Sequence, residues 1–184
     1  MSNDNFTNYY DHYTSLVEES DYVKALKNGL KNTLRLLEEI PEELQEYRYD
    51  EGKWTPKEML VHMIDSERVF AYRAMRFARF DKTPLPGFEH NDYIEPSRAN
   101  ERSWKSIMKE YRRIRKSTIT LFENFPSDSI ENVGNSNGAN FKVSQLAFII
   151  CGHEKHHYYV LRERYLTALK KAKKAPMSRG FKVN

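Results

Sequence analysis

The chain has a single cysteine, Cys151, in 184 residues. No intrachain disulfide can form, and such sparing use fits a reducing compartment. Glycine and proline are scarce, at seven each, too few for an all-β fold with its many tight turns. No apolar run is long enough to span a bilayer. The opening MSNDNFTNYYDHY has neither the basic region nor the apolar stretch of a secretory signal. These absences set the expectation of a cytoplasmic protein without a membrane partner. A large excess of charge is also missing. Thirty Lys and Arg stand against 26 Asp and Glu, for a net charge of +4. The signs are interleaved except over Lys109–Lys116 and Lys170–Lys182. We read these runs as a solvated face and a flexible basic tail from about residue 172, not as a nucleic-acid site.

What is present is aromatic and amphipathic. Thirteen percent of the residues are aromatic, enough to make burial of a core favourable and to argue against disorder. The length suits one domain. Val23, Leu26, Leu30, Thr33 and Leu37 step by three and four along one helical stripe. This first helix is expected to start near Asn8 or Tyr13 and to end before Pro41. A second begins at Trp54-Thr55-Pro56-Lys57-Glu58. Thr55 caps it, Pro56 takes the first helical position, and Glu58 completes a capping box. It should run to about Phe80, followed by a Pro-rich loop over Asp81–Pro96. A third helix is expected over Asn100–Asn124, with Trp104, Ile107, Tyr111, Ile114, Thr118 and Leu121 inward. The polar stretch Glu131–Asn140 reads as a turn, and a fourth helix follows from Lys142 to about Lys171. No strand pattern competes. The economical way to bury four such stripes is an all-α four-helix bundle.

Three of the six histidines lie in GHEKHHYYV on the fourth helix. His153 and His157 are four residues apart and differ by only about 40° around the helix axis. They share the stripe of Leu146, Ile149, Ile150, Val160 and Leu161. His62 lies on the inward stripe of the second helix with Met59, Ser66 and Val69. Imidazoles facing a core are costly unless paired or ligated. Were the second and fourth helices adjacent, His62, His153 and His157 would meet as three neutral nitrogen ligands for a divalent metal ion such as zinc or nickel. Three protein ligands leave a position for water or substrate. His156 competes with His157, because a spacing of three also shares a face. His12 and His90 read as ordinary surface or loop histidines.

The runs YDEGKWTPKEMLVHMIDSERVF, LPGFEHNDY and SQLAFIICGHEKHHYYVLRERYL together resemble the DinB-like superfamily over roughly Tyr22–Leu166. The resemblance implies a four-helix bundle, a homodimer and a three-histidine metal site at His62, His153 and His157. It implies no DNA binding. Some relatives are transferases that use a low-molecular-weight thiol of the bacillithiol type, and others resemble hydrolases. The resemblance therefore implies a metal-dependent enzyme with a small-molecule substrate, a thiol-dependent S-transferase first and a hydrolase second. A non-catalytic bundle is the remaining alternative.

Other residues have simpler readings. Asp65 follows His62 by one turn and could accept from its imidazole, but it reads first as an exposed acid or a partner of Arg68. Trp54 reads as a hydrophobic staple before the cap, and Cys151 as a small buried hydrophobe. Glu154 reads as solvated. Phe88 and Tyr93 are candidates to close over the metal mouth.

Overall fold

The computed structural model describes residues 10–169. The expected tail from about residue 172 and a helix start at Asn8 lie outside them. Four long helices carry the fold. They are α1 (Tyr22–Glu38), α2 (Pro56–Ala78), α3 (Trp104–Glu123) and α4 (Val143–Val160). The last continues as a π-helical segment, Leu161–Leu166. This is the four-helix bundle that the stripes require.

α2 packs against both α3 and α4, and α1 also packs against both. Consecutive helices α1 and α2 therefore sit across the diagonal. That order places α2 beside α4 and brings His62 to the two histidines of α4.

The capping box of α2 forms as read. Glu58 N–H donates to Thr55 Oγ1 at 3.1 Å, and Thr55 N–H donates to Glu58 Oε2 at 2.8 Å. The first helix differs from the expectation. A short helical segment over residues 10–15 is separated from α1. Asp21 begins α1 afresh, its carboxylate accepting from Val23 N–H and Lys24 N–H. α3 starts at Trp104, not Asn100, because Ser103 caps it and the preceding residues form a 3₁₀ turn.

The polar stretch before α4 is not a simple turn. Val133–Ser136 and Ala139–Lys142 pair as a small antiparallel hairpin. Asn137 and Gly138 occupy its tip with φ of 53° and 76°. Two successive positive φ values are what a type I′ hairpin needs, and Asn-Gly supplies them at least cost. The apolar periodicity is too brief to reveal the strands, and the Asn-Gly pair is their one local signal.

The apolar core falls into two clusters. One gathers Phe70, Ala74, Phe77, Phe122, Leu146 and Ile149. The other gathers Leu37, Leu60, Ile64, Ile107, Leu161 and Tyr165. Between them on α2, α3 and α4 stand Glu67, Arg115 and Glu154, all almost fully buried. Charge lies at the centre of this bundle, and the histidines lie beside it.

Candidate metal centre

His62, His153 and His157 are all buried. His62 Nε2 lies 2.9 Å from His153 Nε2, and His157 Nε2 lies 3.1 Å from the same atom. One nitrogen from each ring falls within 4.8 Å of the others. His156 does not join them. It turns toward the N-terminal segment, edge-on to Tyr13 and His12 at 5.6 and 5.9 Å. Rotation about α4 thus brings His157, and not His156, to the other two rings.

Burial pushes the His62 imidazolium down to about 3, with His90 and His156 adding to the effect. Burial likewise holds His153 and His157 well below the usual histidine range, and each is further depressed by its neighbours in the cluster. All three rings are therefore neutral at pH 7. A neutral imidazole has one N–H and one lone-pair nitrogen. His153 Nε2 carries either a single proton or a single lone pair, so it can satisfy only one of its two nitrogen neighbours. His157 Nδ1 has no hydrogen-bond partner among the described residues. Hydrogen bonding alone leaves the cluster incomplete. A cation that accepts one lone pair from each ring would complete it. Metal–nitrogen bonds of about 2.0–2.1 Å put tetrahedral ligand atoms about 3.3 Å apart, close to the 2.9 and 3.1 Å between His153 and its two neighbours. The residues fit such an ion.

On the side of Trp54 and His90 the surroundings are aromatic. The Trp54 ring lies 4.7 Å from His62 and nearly parallel to His157 at 6.4 Å. Its backbone is held by Tyr165, whose hydroxyl donates to the Trp54 carbonyl. Tyr165 belongs to the π segment, so the helical irregularity after His157 braces the wall of the cluster. Trp54 is more than a staple before a cap. His90 is also no ordinary loop residue, since its ring lies 5.3 Å from His62. Phe88 and Tyr93 continue this loop, at 6.5 Å from His90 and 5.6 Å from Phe88 respectively.

The nearby carboxylates are all engaged elsewhere. Glu58 holds the cap and accepts from Arg48 at 2.7 Å and from Asn100 at 2.9 Å. Asp65 pairs with Arg68 at 3.0 Å, as expected. Glu154, expected to be solvated, is buried and pairs with Arg115 at 2.5 Å. Arg115 also grips Glu67 with two parallel bonds of 2.8 and 2.9 Å. The Tyr111 hydroxyl donates to the other oxygen of Glu154. Arg115 lies within the run read as a solvated face, yet it is 1% exposed. It follows Tyr111 by four residues, so the inward stripe itself carries it into the core. Cys151 is buried, and burial pushes its thiol well up. It is inert packing, as read.

The architecture is an all-α bundle with a buried cluster of three neutral histidines at the α2–α4 contact. The chain belongs to the DinB superfamily, whose model matches residues 25–161. Two solved structures share the fold. YfiT from Bacillus subtilis, described as a probable metal-dependent hydrolase with an unusual four-helix bundle topology, aligns with a TM-score of 0.70 at 11% identity. That alignment covers 83% of this chain and 91% of YfiT. The DinB-like protein YjoA of Bacillus subtilis aligns with a TM-score of 0.60 at 15% identity, covering 81% of this chain and 91% of YjoA. No curated protein matches the chain. Among the described residues no helix is long and apolar enough to cross a membrane.

Proposed function

We propose that this chain is a metal-dependent enzyme in which His62, His153 and His157 hold one divalent ion, zinc or nickel, and that it transfers a small thiol to an electrophilic substrate. The observation that carries the metal is the His153 Nε2 atom, which faces two neighbouring nitrogens and can satisfy only one. When bound, a divalent ion held by three neutral ligands lowers the pKa of a coordinated thiol or water and so supplies a nucleophile at neutral pH.

The protein's own residues do the rest. The three imidazoles bring no charge, so the cation's field is undiminished at its open position. Trp54 and His90 supply aromatic walls beside His62. Glu67, Arg115 and Glu154 lock α2, α3 and α4 together behind His153. The state of the carboxylates favours a thiol over water. Glu58, Asp65 and Glu154 are each tied to an arginine. Thiol and water alike lose one proton on binding the ion, but hydroxide carries a second proton that a base must take as the hydrolysis product forms, and a thiolate carries none. Hydrolysis, the activity ascribed to YfiT, is the second reading.

Cobalt substitution tests the choice. Cobalt-loaded protein titrated with cysteine is expected to develop a thiolate-to-metal absorption band in the near ultraviolet. Bound cobalt with no such band at millimolar thiol would contradict the transferase reading and leave hydrolysis in its place.

A further inference from the structure

A cavity of about 600 Å³ opens beside Trp54, within the range of about 300–1,000 Å³ that small-molecule sites occupy. Trp54 is the wall that this cavity shares with the histidines. It lines the cavity, and its ring lies 4.7 Å from His62 and 6.4 Å from His157. Glu58, also on the cavity wall, precedes His62 by one turn of α2, and the lining residue Asn91 follows His90. A ligand seated there lies one aromatic ring away from the candidate metal centre.

The lining carries both signs of charge. Arg48 and Glu58 are committed to each other at 2.7 Å. Arg48 also donates to the Lys53 carbonyl at 2.5 Å, and Glu58 also accepts from Asn100 and from Thr55 N–H. Arg98 is held differently. Its guanidinium is 3.8 Å from Glu101, with both side chains mostly exposed, and a pair of that kind contributes little. Its backbone has φ 47° and ψ 39°. Glycine adopts this left-handed conformation without steric cost, whereas an arginine meets its own Cβ clash. Strain of this kind gathers at ligand clamps, where the side chain has a use. Glu95, three residues earlier, lines the same cavity, and its backbone carbonyl accepts from Arg98 N–H at 3.1 Å. A guanidinium takes a carboxylate with two parallel bonds, and a carboxylate takes an ammonium. Arg98 and Glu95 together match an amino-acid zwitterion.

We infer that this cavity seats the zwitterionic end of the thiol substrate, with Arg98 on its carboxylate, Glu95 on its ammonium, and its sulfur directed past Trp54 to the histidines. A volume of this size holds a small peptide rather than a single amino acid. The substrate class is therefore a peptide-like thiol, a cysteine joined to a residue with free amino and carboxylate groups. The inference rests on the proposed thiol chemistry for the position of the sulfur, but not for the zwitterion.

Calorimetric titration separates the two. Protein as purified is titrated with S-methylglutathione, whose capped sulfur gives no thiolate to a metal. Two blocked forms are titrated beside it, the N-acetyl derivative without the ammonium and the diethyl ester without the carboxylates. The open form is expected to bind at least about tenfold more tightly than either. Arg98→Gly suits the left-handed backbone and should lose the preference over the ester. Glu95→Gln should lose the preference over the N-acetyl form. Unfolding curves run alongside show that each variant is folded. Equal binding of the three probes, no binding of S-methylglutathione, or unchanged preferences in the folded variants overturns the cavity site. Zinc-loaded protein is then titrated with glutathione itself. It should bind at least about tenfold more tightly than S-methylglutathione, because one ligand then engages both the cavity and the ion. With zinc shown to be bound, no gain overturns the shared ligand. Failure of zinc to bind speaks against the metal site alone and leaves the S-methylglutathione result standing.

Discussion

His62 on α2 and His153 on α4 are 91 residues apart in sequence, yet their Nε2 atoms lie 2.9 Å from each other in the core. Neither ring is charged at neutral pH, because burial pushes both down, His62 to about 3. The contact exists because α1 and α2 sit across the diagonal of the bundle, which leaves α4 as the neighbour of α2.

This contact has a consequence for stability against pH. The folded histidines bind protons far less readily than unfolded ones, whose pKa is about 6.5. Between about pH 6.5 and the depressed folded values, the unfolded chain holds more protons, so stability rises with pH. The contribution is fully present above pH 6.5 and is lost as the pH falls below it. Each of the three rings contributes about 1.4 kcal/mol per pH unit in that window. Urea denaturation of metal-free protein from pH 7 to pH 5 is expected to show a steep fall in the midpoint. His62→Ala, with one depressed ring fewer, should fall less steeply. Equal slopes in parent and variant would contradict the assignment.

The Glu67–Arg115–Glu154 array makes a second prediction. Arg115→Met leaves two carboxylates buried without their cation. Breaking a buried pair in this way costs about 3–5 kcal/mol, and here it also frees α3 from α2 and α4. Chemical denaturation should show that loss at pH 7. A loss under about 1 kcal/mol would mean that the array is not a structural lock.

A third concerns Gly152. A Cβ there would overlap the backbone carbonyl of Tyr13, so the segment over residues 10–15 lies on α4 only because residue 152 has no side chain. Gly152→Ala is expected to cost about 1–3 kcal/mol and to move Tyr13 off His153. Amide exchange over residues 10–15 should rise in the variant. Unchanged protection would contradict this account of the close approach.

Trp54 offers an optical readout. It is one of two tryptophans, and its ring lies against His62 and His157. The other, Trp104, is buried in the apolar cluster with its indole N–H donating to the Leu37 carbonyl. Zinc added to metal-free protein is expected to change the fluorescence of Trp54. Trp54→Phe should abolish the change while leaving zinc affinity within about tenfold. A change that persists in Trp54→Phe would assign it to Trp104 and to a wider rearrangement.

Much of this site is written in local pattern. Thr55, Pro56 and Glu58 mark the start of α2, and the step of four from His153 to His157 puts both on one face. The clustering of His62 with them follows once the stripes must be buried together. What local pattern does not carry is the partner of each buried charge. Arg115 sits in a basic run and Glu154 beside polar residues, so each reads alone as solvated. They are buried because each stabilises the other across α3 and α4. The same holds for His90, whose approach to His62 depends on a Pro-rich loop with no periodicity. The break before α1 is a competition that propensity along the chain does not settle, and Asp21 decides it by capping.

The most direct test of the central claim is metal content, measured by mass spectrometry on protein purified without a metal-affinity tag. His62→Ala, His153→Ala and His157→Ala are measured beside the parent. The account predicts close to one divalent ion per chain in the parent, lost in each variant, and retained in His156→Ala because His156 faces Tyr13 and His12. A parent that holds no metal after incubation with zinc or nickel, or variants that hold as much as the parent, would contradict it.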